Sequence, residues 1–163
     1  MNLIYSIFMM FIGSFLIQYF IMSMIMANSF TNITKSTGKI YISLIMASLM
    51  SLLEILMHDI YHLYFSWNYY LVFIIIIALI ILLYKKQYFI DDKNYLNEMI
   101  EHHSMAILTS GEIINKTKDD KVKTFANNII KTQEKEIEQM KQMLVKEEKQ
   151  IITVEDIENN KKI

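Results

Sequence analysis

The sequence predicts an all-α protein in two parts, three transmembrane helices followed by an antiparallel helical hairpin, and three observations lead there. Among the first 84 of 163 residues only Lys35, Lys39, Glu54 and Asp59 are charged, whereas the 79 residues from Lys85 on hold 14 lysines and 15 acidic residues. The apolar half contains three uninterrupted runs long enough to cross a hydrocarbon layer roughly 30 Å thick. The polar half, which has no proline, repeats its apolar residues at helical spacing. The expected organisation is a membrane region over 1–90, a hairpin domain over 91–149 and a polar tail over 150–163.

Leu3 to Ala27 carries no charge and has neither the basic start nor the small-residue cleavage site of a signal peptide, so it reads as a retained anchor. Asn28 to Lys39 is a polar connection rich in Thr, Ser and Asn. Ile40 to Met57 forms the second apolar run and Leu63 to Tyr84 the third. Trp67, Tyr69, Tyr70, Tyr84 and Tyr88 flank the third run, where aromatic rings favour the headgroup boundary, and Lys85 and Lys86 end it. With three spans, the first loop and the C-terminal half share one side. That side holds Lys35, Lys39, Lys85, Lys86 and Lys93, so the positive-inside rule places the C-terminal half in the cytoplasm. Asn32-Ile33-Thr34 and Asn115-Lys116-Thr117 are glycosylation-type sequons that matter only if that side is lumenal.

Asp91 and Asp92 suit a helix start, and Tyr95, Met99, His103, Ala106, Ser110 and Ile113 form a stripe over about 25 residues. After a break at Lys116 to Asp119, Asp119 or Asp120 caps a second helix with Val122, Phe125, Ile129, Gln133, Ile137, Met140 and Leu144 on one face. Beyond about Gln150 the pattern fades, and fraying is expected. A hairpin has one apolar seam and an uncovered outer edge, so a homodimer or higher homo-oligomer, most simply a dimeric four-helix bundle, should complete it. Lys131, Lys135, Glu138, Lys141 and Gln142 read as a solvated charged face.

Composition excludes several functions. With no cysteine, disulfides, thiolate catalysis and Cys-based metal sites are absent, so a metal must use His, Met or carboxylate. A net charge of −1 with near-neutral halves argues against a nucleic-acid partner. The lipid bilayer is the expected partner of the apolar half. Di-iron chemistry needs Glu-x-x-His pairs on facing helices, and the sequence has none. His58-Asp59-Ile60-Tyr61-His62 has two histidines four residues apart but lacks the Glu and third ligand of a zinc protease. Glu54, Met57, His58 and His62 form a second polar patch, read as an interfacial helix end. The methionines of the spans scatter around their helices, as packing or lipid contact requires. No catalytic base with a substrate site emerges, and the protein reads as non-enzymatic.

If the turn centres near Thr117 and Lys118, His102 and His103 face Thr132 and Gln133, Met99 faces Glu136, and Met140 lies one turn on. Adjacent histidines about 100° apart can both flank one groove, and imidazole with thioether but no thiolate suits copper, Cu(I) in particular. The run Met99-Ile100-Glu101-His102-His103-Ser104-Met105-Ala106, with Ala126 to Met140 of the second helix, resembles the domain of unknown function 305 family in its M-x-x-H-H-x-x-A and A-x-x-I-x-x-x-Q-x-x-E-I-x-x-M patterns. The resemblance covers roughly Asp91 to Leu144. It implies a ferritin-like bundle and, from members linked to copper resistance, a copper ion at Met99, His102, His103 and Met140, with Glu136 and Gln133 as weaker ligands. Glu101 stands where that family usually has proline. The expected function is a multi-pass membrane protein with a metal-binding helical domain, and the alternative is a membrane-anchored oligomerisation module without metal.

Overall fold

A computed structural model describes the backbone of residues 2–160 and the side chains of residues 2–146. Among the described residues there are five helices and no strand: α1 Leu3–Met26, α2 Thr37–His62, α3 Trp67–Lys85, α4 Asp92–Lys116 and α5 Asp120–Asn160. The first three are long and apolar enough to cross a membrane. The chain forms two compact units, Met1–Ile25 with Lys35–Asn94, and Met26–Thr34 with Tyr95–Ile163. The second unit thus includes a piece of the connection between α1 and α2.

In the first unit α2 is central and packs on both α1 and α3. Small residues let the backbones approach: Ser43, Ala47, Ser48 and Ser51 are fully buried. The three serine hydroxyls donate to the carbonyls of Lys39, Leu44 and Ala47 one turn earlier, at 2.8, 2.8 and 3.0 Å, so no polar group is stranded. Ser6 of α1 donates to the Glu54 carboxylate of α2, which gives that isolated acid a partner inside an apolar pair. α1 contains one π turn, Ile17–Ile21, and the Lys39 ammonium lies 4.8 Å from the Tyr19 ring centre.

The third helix starts at Trp67 rather than at Leu63, where its apolar run begins. Leu63 ends α2 in the left-handed conformation with φ 50°. The buried Asp59 carboxylate accepts from the Ser66 amide and hydroxyl, each at 2.7 Å, and holds the turn. Asp91 caps α4, its carboxylate accepting from the Asn94 amide at 2.7 Å, and that bond is the largest cause holding its carboxyl below the usual aspartate value. The Asn94 side chain in turn accepts from the Thr37 amide and hydroxyl at the start of α2, at 2.9 and 3.0 Å.

In the second unit Asp119 caps α5 by accepting from the Lys121 amide at 2.8 Å, and α4 and α5 form the expected hairpin. Its core is Ile100, Ile107, Ile137 and Met140, with Leu96, Met99, Ile130 and Leu144 packed around them. On α5 the buried stripe keeps Ile137 and Met140, as the sequence suggested, whereas on α4 Ile100, Ser104 and Ile107 join the expected Ser110. Ile100 and Ala126 are buried, whereas Tyr95, Ile113, Val122 and Phe125 are exposed. On α4 the reason is a second neighbour: Ile100 and Ile107 face α5, while Asn97, Glu101 and Ser104, one turn apart, meet the Met26–Thr34 segment. α5 runs on to Asn160 instead of ending near Gln150, since no glycine or proline interrupts it.

The two stripes make different predictions for stability. Ile100→Ala should cost about 2–5 kcal/mol, because it empties a fully buried site, and Phe125→Ala less than about 1 kcal/mol. Denaturant unfolding of the detergent-solubilised chain, followed by helical circular dichroism, measures both. A larger loss for Phe125→Ala would restore the stripe read from the sequence.

Candidate functional site

The seam of the hairpin carries a polar contact. His103 of α4 and Glu136 of α5 meet with Nε2 and Oε2 2.9 Å apart. The other ring nitrogen, Nδ1, donates to the Met99 carbonyl at 2.7 Å, one turn back on α4. A carbonyl only accepts, so that bond fixes the proton on Nδ1 and aims Nε2 at the carboxylate. An ionised carboxylate also only accepts. A hydrogen bond between Nε2 and Oε2 therefore takes a proton beyond the one on Nδ1. Gln133, one turn before Glu136, donates to the same carboxylate oxygen at 3.4 Å. The register is about one turn further along α5 than the sequence estimate, which set His103 against Gln133.

Of the six residues expected to share a site, five lie at this seam and one does not. Met99 and Met140 belong to the apolar cluster, with Met140 buried. His102 turns away, half exposed, with its Nε2 3.8 Å from the Glu98 carboxylate of the same helix. The Glu98 carboxylate beside it is the largest influence on His102 and raises its imidazole above the usual value, while partial burial acts the other way. His102 turns to Glu98 of its own helix and His103 to Glu136 of α5, so the two do not flank one groove. Among the described residues no group of three or more His, Cys, Asp or Glu side chains is arranged to hold a metal ion.

A second cluster, which sequence reasoning missed, fixes the Met26–Thr34 segment on α4. The Thr34 amide and hydroxyl donate to Glu101 Oε1 at 2.6 and 3.3 Å, and the hydroxyl also donates to the Asn97 carbonyl at 2.6 Å. The fully buried Ser104 accepts from the Asn28 amide at 2.8 Å and donates to the Asn28 side-chain oxygen at 2.6 Å. Asn32 accepts from the Lys141 ammonium of α5 at 2.6 Å and donates to Asn28 at 2.9 Å. Lys141 is thus a bridging residue rather than part of a purely solvated face. Asn32 is buried, so in the folded chain this sequon asparagine is covered, whereas Asn115 is exposed. The signals available in sequence were the Ser/Thr/Asn density of the connection and Glu101 itself.

The profile of the family described as Domain of unknown function (DUF305) matches residues 87–150. An uncharacterized protein of Acanthamoeba polyphaga mimivirus is 38% identical over 139 residues, covering 85% of this chain and 90% of that protein, so the similarity reaches from the hairpin into the apolar half. No solved structure matches the chain.

Two outcomes follow from this geometry. Ser104→Ala should cost about 1–3 kcal/mol, because it leaves the Asn28 amide without its partner and the Asn28 side-chain oxygen with Asn32 alone, and an unfolding midpoint equal to the parent's would show that the bonds are not formed. His102 titrates higher folded than its unfolded value near 6.5, so its pairing with Glu98 stabilises fully below about pH 6.5 and is lost as pH rises through the folded value. His102→Gln should therefore lower stability by less than about 1 kcal/mol at acid pH, given its half exposure, and match the parent at alkaline pH. Parallel stability curves from about pH 5.5 to 8.5 would contradict the pairing.

Proposed function

The chain belongs to the family defined by the domain of unknown function (DUF305), and on that premise we propose that it is a multi-pass membrane protein presenting one helical hairpin of this family as a non-enzymatic module. α1, α2 and α3 supply the anchorage. Hydrogen bonds from Asn28 and Thr34 to α4 support α2 and α3 crossing as a pair, because they need the first connection and the hairpin on one side of the bilayer and so an even number of crossings between them. The observation that carries the reading is the His103–Glu136 contact, a polar lock between α4 and α5 worth on the order of 1 kcal/mol. A second hairpin from another copy has the exposed Ile113, Val122 and Phe125 available to cover.

One observation favours a second reading, in which the seam holds copper. A histidine whose Nδ1 proton is tied to a main-chain carbonyl presents Nε2 as a ligand, and two thioethers pack in the adjoining cluster. The full six-residue set does not fit one ion, because His102 faces Glu98. The residues left at the seam for this reading are Met99, His103 and Met140, with Glu136 in contact with His103 and Gln133 behind it, donor types of the kind Cu(I) takes. Copper bound there would act by occupancy of the seam, replacing the proton between His103 and Glu136.

Titration of the full chain in detergent with Cu(I), beside His102→Ala and His103→Ala, separates the readings. The structural module is expected to take up no stoichiometric copper, and His103→Ala then only lowers stability. One Cu(I) per chain, lost in His103→Ala and kept in His102→Ala, would overturn the metal-free module in favour of the seam site. A fragment beginning at Asp91 lacks Asn28 to Thr34 and is not an equivalent sample.

A further inference from the structure

A second pair of histidines lies outside the segment matched to the family, at the C-terminal end of α2. His58 and His62 are one helical turn apart and their ring centres are 4.3 Å from each other, so both rings share one face. His58 Nδ1 is 3.5 Å from the Asp59 carboxylate, at the long end of hydrogen bonding. That carboxylate is itself immobilised by the Ser66 amide and hydroxyl at 2.7 Å each. Asp59 therefore orients the His58 ring and leaves Nε2 as the open lone pair, the arrangement in which a carboxylate positions a ligating imidazole. His62 is exposed and rests against the edge of Tyr61 at 5.0 Å. Glu54, one turn earlier, is taken by Ser6 and stays out of the cluster.

We propose that His58 and His62 form a two-histidine chelate for a divalent transition-metal ion of the zinc class, with Asp59 as the positioning residue. Paired neutral imidazoles select zinc, copper(II) or nickel over calcium and magnesium, which take oxygen ligands. Among the described residues no third His, Cys, Asp or Glu gathers with the pair, so water completes the coordination and the site is open to exchange. The proposal is independent of the hairpin seam, which lies in the other unit of the chain.

The test is titration of the full chain in detergent micelles with zinc chloride, read by calorimetry, alongside His62→Gln, Asp59→Asn and a His102→Ala, His103→Ala double variant. Because His62 is exposed, His62→Gln should keep the parent's helicity and thermal midpoint. The expected result is zinc binding by the parent and the hairpin double variant with equal affinity, loss of at least about tenfold in His62→Gln, and weakening of about tenfold in Asp59→Asn. No binding by the parent, unchanged affinity in His62→Gln, or loss confined to the hairpin double variant would each overturn the proposal.

Discussion

The second unit of this protein depends on a short polar clamp. Asn28 and Thr34, in the connection between two apolar helices, spend their amides and side chains on Ser104, Glu101 and the Asn97 carbonyl of α4. A main-chain amide that leaves a helix needs a partner, and here the partners are a fully buried hydroxyl and a carboxylate. The bond to the carboxylate is charge-assisted, the stronger kind. Lys141 adds α5 to the same segment through Asn32. The hairpin is consequently not a free-standing pair of helices: part of the cover that periodicity assigned to a second copy comes from the chain's own first connection.

That arrangement organises the two faces of α4. One face supplies Ile100, His103 and Ile107 to the seam with α5, and the other supplies Asn97, Glu101 and Ser104 to the clamp. His102 falls between these faces and pairs with Glu98 instead of joining His103. The chemistry at the seam is accordingly that of one imidazole and one carboxylate held 2.9 Å apart beside two thioethers.

The helices were legible in the sequence because their causes are local. Apolar runs gave α1 to α3, Asp91 and Asp119 marked the starts of α4 and α5, and the polar break at Lys116 to Asp119 gave the turn. The meeting of His103 with the Gln133–Glu136 turn was also within reach, since an antiparallel pair with a known turn has only one free parameter. The stripe on α4 was misplaced because helical periodicity assumes one apolar neighbour, whereas Ser104 is buried by polar bonds to a residue 76 positions away. Glu101, noticed in sequence only as a departure from the family's proline, accepts from Thr34. Side-chain bonds to a distant loop leave no periodic trace, and the adjacency of His102 and His103 suggested a shared groove, whereas His102 is drawn to Glu98 of its own helix.

The most direct measurement is hydrogen exchange of the full chain in detergent, resolved at the amides of Asn28 and Thr34. If the clamp holds, both exchange as slowly as the amides of the α4–α5 seam, because each opens only when the second unit opens. Exchange at the rate of an unstructured loop, with the seam still protected, would contradict the account and leave the hairpin standing without its strap.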